Sequence, residues 1–473
     1  MFRYSLRIFA AGALAAALFS GCAADRGLVK EGCFSRSGRM YFAAPTLLPG
    51  TTVEMKTPGY WISRHPYPDR LIMGPDEIVN FNSGICRLTG VIPDISLFPE
   101  WISRKTFLDA RRRQLERFRR GRYYRLDGSA ADNAFYSSIE ENMALSGPGP
   151  EDIAVRFAYV VHNADQRLLP LAEGLNASPG DVDFDELQNS SLGPGTPVAV
   201  LYTGRDGKWH YVSSTVSEGW VDDNSLAFCG REETKDPDAG GDFAVVTAAR
   251  ADIYLDPGLK EYYDYARMGD RFILKAAGPA AVEIVLLLRG GDGRLKRKSG
   301  YISIDEINRG YLSYTPRNAI RQAFRMLNTP YGWGGMYGEQ DCSQFIREVF
   351  SVMGIKLPRN SSVQAQVGRL LSGVSTEAKE KCFSWENGAA GGITTICLNG
   401  HIMLFLGTEG GRPYAIHDGW AYRVRDAGGK DEVRLVNRVA VTGLDLGEGS
   451  RKGSFLRRIK CLRVIAGNQP EKI

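Results

Sequence analysis

Histidine is scarce in this 473-residue chain, which has only His65, His162, His210, His401 and His417. Any chemistry that needs an imidazole therefore has few places to reside. No C-x-x-C pair occurs among the eight cysteines, so the usual spacing of a structural zinc site is missing. A surplus of one charge is missing as well: 59 basic against 54 acidic residues leave +5, too little over this length for a nucleic-acid-binding surface. The sustained apolar run at the N-terminus, Ile8 to Phe19, is too short to cross a bilayer. What is present is a folded-protein balance, with 43% hydrophobic and 24% charged residues, which excludes wholesale disorder. The length implies roughly two to four folded units. The 54 glycines and 21 tyrosines favour turn-rich β structure over a helical bundle.

Arg3 and Arg7 precede the apolar run, which exits through Ser20-Gly21-Cys22. A basic head, a short apolar core and small residues at the exit describe an export signal over 1–21. Leu18-Phe19-Ser20-Gly21-Cys22 resembles a bacterial lipobox, which implies lipidation of Cys22 and a membrane tether without a transmembrane helix. Ala23 after the cysteine implies, by the same resemblance, sorting to the periplasmic face of the outer membrane of a Gram-negative bacterium. The plainer alternative is an ordinary cleaved signal in which Cys22 is incidental.

Residues 22–150 read as an irregular, proline-rich segment with one helical stretch, the basic run Arg111 to Arg120. That run is either a contact for anionic lipid or wall polymer, or a solvated face with Leu108, Leu115 and Phe118 packed inward. From 151 to 235, Pro197 to Tyr202, the turn Gly204 to Gly207, Trp209 to Val212 and Gly219-Trp220-Val221 alternate strand and turn as a small closed barrel does. This segment resembles a bacterial SH3-like domain. A parallel run over 236–312 ends in Gly300-Tyr301-Ile302 and predicts a second barrel.

Near 313 the pattern changes. Thr315-Pro316 opens a helix whose apolar stripe is Ile320, Phe324 and Leu327. A glycine-rich loop follows, Tyr331-Gly332-Trp333-Gly334-Gly335, and a second helix starts at Asp341-Cys342. A thiol at a helix start is attractive as a nucleophile because the positive end of the helix dipole favours thiolate, with Asp341 placed to cap the turn. Only His401 and His417 follow it. They are separated by Gly410-Gly411, which suits two adjacent antiparallel strands, with His401 as base and His417 orienting it. A buried structural cysteine and two structural histidines would be the bland reading of each residue alone; their combination favours catalysis.

Tyr331 to Gly335, Asp341-Cys342-Ser343-Gln344-Phe345, Leu357-Pro358-Arg359-Asn360-Ser361 and Gln364 resemble the NlpC-type papain-like cell-wall peptidases. The resemblance runs over 313–473, through His401 and His417. It implies Cys342 as nucleophile, His401 as base and His417 as third catalytic residue, with Tyr331, Asp341 and Ser343 in the substrate pocket. Gln344 departs from the usual glycine, and Cys382 and Cys397 fall in an insertion before His401. The expected fold is multidomain: an N-terminal clip segment, two small all-β SH3-like barrels and an α+β papain-like domain. In the subgroup with this layout the first barrel covers part of the active site and helps bind a free amine. The acidic loop carrying Asp183, Asp185 and Glu186 is the candidate contact, or an ordinary solvated turn.

The resemblance implies hydrolysis of peptidoglycan stem peptides or muropeptides at the γ-D-glutamyl-diamino-acid bond, with a free N-terminal L-alanine preferred. No metal or organic cofactor and no nucleic acid is implied. An inactive wall-binding lipoprotein and an acyltransferase on the same scaffold are the alternatives. Outside Cys22 and Cys342, the remaining cysteines admit many pairings, and spacing does not choose among them. If Cys22 is the anchor, Cys22→Ser releases the protein from the membrane fraction. Unchanged partitioning into detergent would exclude that site.

Overall fold

The computed structural model describes residues 33–36, 39–90, 94–235, 242–371, 383 and 388–467. Cys22 and Cys382 lie outside them. Among the described residues, no helix is long and apolar enough to cross a membrane.

The first barrel shows how alternation builds two surfaces from one strand. Val198, Val200, Val212 and Val221 point to one side and close a small core with Ala158 and Val160. Their neighbours Ala199, Leu201, Tyr211 and Trp220 point to the other side and pack under residues of the N-terminal segment. The sheet has seven strands, in the order Leu226–Cys229, Arg156–Val160, Pro197–Thr203, Trp209–Ser213, Glu218–Asp222, Ala164–Arg167 and Gln188–Leu192. A second seven-stranded sheet, from Phe243–Val246 to Ile307–Arg309, encloses its own core of Val246, Ile253, Phe272, Ile284, Leu286 and Ile302.

The segment up to residue 150 is largely helical, against the irregular reading. It holds α1 (Pro58–Arg64), α2 (Pro75–Thr89), α3 (Arg104–Arg120) and α4 (Asn133–Met143). The prolines that looked like breakers are helix starters. Pro58 follows Thr57, whose hydroxyl accepts the Tyr60 N–H, and Pro75 follows Gly74, whose N–H donates to Glu77 Oε2 at 2.7 Å. Trp61, Met73 and Ile85 enter the C-terminal core, while Leu108, Leu115, Phe118, Tyr136 and Ile139 cover the first barrel. One segment thus holds both units. In α3, Arg111 does not sit on a free basic face: its guanidinium lies 4.1 Å from the Tyr211 ring centroid of the barrel.

The C-terminal unit begins with α5 (Pro316–Arg325), capped by Thr315, and α6 (Cys342–Ser351), which pack against an eight-stranded sheet. Its central strands are Asp431–Gly443, Arg412–Arg425, His401–Glu409, Thr394–Leu398 and Cys461–Val464. Arg39–Ala43 pairs in parallel with Asp431–Gly443, so the N-terminal segment also extends this sheet. Cys397 belongs to the strand Thr394–Leu398. It lies in the sheet, on the strand next to that of His401 and in register with Cys461 on the antiparallel neighbour. Register partners of this kind bring two Cβ atoms within reach of a disulfide. Mild oxidation with oxidised glutathione should link Cys397 to Cys461, as read by peptide mapping; either cysteine joined elsewhere would contradict the register.

Candidate active site

Asp341 organises the start of α6. Its carboxylate accepts the N–H groups of Ser343 (3.0 Å) and Gln344 (2.9 Å), the Ser343 hydroxyl (2.7 Å) and the Gly334 N–H (3.2 Å). Arg359 grips both oxygens, Nη1 to Oδ1 at 3.1 Å and Nη2 to Oδ2 at 2.7 Å. Burial alone would raise this carboxyl, but Arg359 and the N–H donors outweigh it and hold it below the ordinary value. Arg359 Nε also donates to Ser190 Oγ of the first barrel at 3.1 Å.

The loop before α6 is shaped by that contact. Gly334 and Gly335 have φ of +62° and +88°, and a Cβ on either would strike the barrel: Gln188 at 2.7 Å for Gly334, Ser191 at 2.3 Å for Gly335. The second barrel grips the same loop, with Arg267 donating to Glu339 O at 2.9 Å. Gln344, where a glycine was expected, lies beneath Gly335 and donates to Glu348 Oε1 at 2.7 Å. Its extra bulk is absorbed inside the protein.

The two histidines lie on adjacent antiparallel strands, as their spacing predicts. His401 Nε2 and His417 Nδ1 are 2.9 Å apart, and His417 Nε2 is 2.9 Å from Thr442 Oγ1. Two opposite proton assignments satisfy the chain, and the one that leaves His401 a base has its Nε2–H donating to His417 Nδ1 and His417 Nε2–H donating to Thr442. His401 Nδ1 is then the basic nitrogen. Cys342 lies beside this strand, where the Ile402 backbone favours its thiolate. Phe455 packs on both imidazoles, with centroids 6.3 Å from His401 and 5.5 Å from His417.

The thiol stands at the helix start as expected, and its surroundings act against the helix dipole. Burial pushes Cys342 up to about 12, Asp341 adds to the rise, and the Ile402 N–H only partly opposes it. Burial takes His401 down to about 4, with Arg458 contributing, and lowers His417 well below its usual value. Burial thus favours the neutral form of both the thiol and the imidazole.

Phe184 of the first barrel reaches over this site. Its ring lies 5.4 Å from Trp333, 5.0 Å from Trp420 and 6.4 Å from Tyr331. The acidic loop is thus at the site, but its three carboxylates differ. Asp185 is withdrawn from any ligand: it is buried, 2.6 Å from Arg167, and accepts the Leu175 and Leu187 N–H groups. Its candidacy as an amine contact is corrected on that ground. Asp183 and Glu186 are only half-buried. Ser343 and Asp341 are saturated by partners within the protein, and Tyr331 is half-buried beside the thiol.

Several residues here escaped sequence reasoning. Asp418, next to His417, is buried and accepts Gln340 Nε2 at 3.1 Å; burial raises its carboxyl well above the ordinary value. Adjacency to a candidate histidine was its only signal. Thr442 and Phe455 carried none, since only the sheet brings them to the histidines. Iodoacetamide should alkylate Cys342 at a rate that climbs steadily from pH 6 to 10. A plateau reached below pH 7 would reveal a thiolate–imidazolium pair instead.

Comparison with known proteins bears on the domains and the fold. Residues 328–409 match the NlpC/P60 family model, and residues 175–222 match that of the SH3 domain of SH3b1 type. An NlpC/P60 endopeptidase from Photobacterium damselae subsp. piscicida has the same fold, with TM-score 0.70 and 20% identity over 90% of this chain and 97% of that one. An NlpC/P60 family protein from Bacillus cereus aligns with TM-score 0.41 and 17% identity, covering 59% of this chain and 82% of that one. No match was found among curated proteins. The chain is multidomain, and it joins a domain of the NlpC/P60 family of cell-wall peptidases to an SH3 domain of the SH3b1 type.

Proposed function

We propose that this protein is a cysteine endopeptidase that hydrolyses the bond between the γ-carboxyl of D-glutamate and a diamino acid in peptidoglycan stem peptides. The observation that carries the proposal is the hydrogen-bonded chain from Thr442 through His417 to His401, beside Cys342 in a domain of cell-wall peptidases.

Cys342 Sγ attacks the scissile carbonyl while its proton passes to His401 Nδ1. The carbonyl oxygen gathers negative charge, which N–H groups near the start of α6 stabilise. His401 returns the proton to the leaving amine, and the C–N bond breaks to leave a thioester. Water then attacks the thioester, again giving its proton to His401, and the thiol is restored. His417 orients His401 and stabilises the imidazolium through the shared hydrogen bond. With the neutral form of both groups favoured by burial, proton transfer accompanies attack, as with a serine nucleophile.

Phe184 roofs the amine end of the peptide. With Asp185 occupied by Arg167, the half-buried Glu186 is the carboxylate that we assign to a free L-alanyl amine. Burial and the neighbouring Asp185 and Asp181 raise the Glu186 carboxyl, a penalty that an incoming ammonium group relieves. A lipid on Cys22 would hold the enzyme at the envelope, where such fragments arise. The test is mass spectrometry of products from L-Ala-γ-D-Glu-diamino-acid tripeptide and its N-acetylated form. We expect the dipeptide and the free diamino acid, faster turnover of the unacetylated peptide, and no turnover by Cys342→Ala. Transfer products in place of hydrolysis, or activity surviving in Cys342→Ala, would overturn the mechanism. Equal kcat/KM for the two peptides would overturn the roof.

A further inference from the structure

Gln344, the position where the sequence departs from the peptidase pattern, is tied to the second barrel. Its side chain is buried and donates to Glu348 Oε1 at 2.7 Å, one turn further along α6. The same carboxylate oxygen lies 3.8 Å from Nη1 of Arg267, which ends the second-barrel strand Tyr262–Arg267. Burial raises the Glu348 carboxyl, and Arg267 is the first of the groups that oppose the rise, ahead of Arg347. Arg267 is buried as well. Its Nη1 donates to Glu339 O at 2.9 Å and its Nη2 to Gly335 O at 3.4 Å. The contacts close into a ring, because a Cβ on Gly335 would come within 3.0 Å of Gln344 Oε1.

This ring brackets the nucleophile in the sequence, with Glu339 before Cys342 and Gln344 after it. Neighbouring contacts run the same way. A Cβ on Gly338 would lie 2.7 Å from the Tyr265 hydroxyl of the same barrel strand, and a Cβ on Gly269 would strike Ser351 at the end of α6. The second barrel therefore touches both the loop before α6 and the helix itself. A guanidinium can hold two carbonyls at a fixed separation because its donors lie in one rigid plane. Glycine at 344 would remove a donor from the buried Glu348 and leave space under Gly335.

We propose that Arg267, Glu348 and Gln344 act together as positioning residues, through which the second barrel sets the loop Gly335–Glu339 against the start of α6 and so places Cys342. They act through the helix start, where Asp341 already holds the Gln344 N–H. The network is thus a second hold on the nucleophile, beside the one made by Arg359 on Asp341. Its effect on rate rests on the peptidase reaction proposed above.

The test compares full-length Arg267→Gln, Gln344→Gly and the double variant in two ways: hydrolysis of the tripeptide, and the rate at which iodoacetamide labels Cys342, read by peptide mapping. Each single variant should lower kcat about tenfold and change KM less than about twofold, because the thiol is displaced while the pocket remains. The double variant should also lose about tenfold, since either change alone opens the ring. Arg267→Lys keeps the buried charge and so guards against a folding defect. It should lose kcat as Arg267→Gln does, because an ammonium group cannot bridge both carbonyls in one plane. A loss of about a hundredfold in the double variant, a parent-like kcat in Arg267→Lys, or a loss confined to KM would overturn the network. The labelling rate should change in the same non-additive pattern whether or not the peptide is cut. A parent protein that is labelled but cleaves nothing would overturn the proposed reaction, and labelling alone would then decide the positioning.

Discussion

The ion pair between Asp341 and Arg359 is the contact on which the site depends. Asp341 caps α6 at the residue before the nucleophile, holds the Gly334 N–H and is clasped by Arg359, which reaches on to Ser190 of the first barrel. A buried carboxylate left without its partner costs about 3–5 kcal/mol, so these groups move together or not at all. The barrel strand that carries Ser190 also presses on Gly334 and Gly335. The position of Cys342 is therefore set partly by a different domain. The SH3-type barrel is part of the frame of the catalytic site and not merely a module attached to it.

The same burial that fixes the geometry sets the protonation state. A dry thiol beside an anionic Asp341 stays protonated, and dry imidazoles stay neutral. The low local dielectric also strengthens each hydrogen bond of the Thr442–His417–His401 chain. Charge thus appears in the site only while bonds are changing, close to donors already in place.

The N-terminal segment makes this arrangement rigid. Its first half enters the core of the peptidase domain through Trp61, Met73 and Ile85, and its second half covers the outer face of the first barrel. The two units that meet at Ser190 and Arg359 are thereby held by a continuous stretch of chain. Phe184 of the first barrel can then reach over to Trp333 and Trp420.

What was legible in the sequence was local. A cap followed by an apolar stripe marks α5 and α6, a run of glycines marks a loop with left-handed torsions, and two histidines on strand-like runs mark neighbouring strands. Each signal arises within a few residues, where propensity and hydrogen bonding act directly. The helices at Pro58 and Pro75 were missed because proline terminates a helix or begins one according to the residues around it. The acidic loop was found, but which carboxylate Arg167 neutralises was not visible from composition. Only the tertiary structure decided that burial raises the thiol and that Arg359 joins the nucleophile helix to a barrel residue 169 positions away. The physical reason is common to both. Desolvation and charge pairing depend on what the rest of the chain places around a group, and that is not written in its neighbours along the sequence.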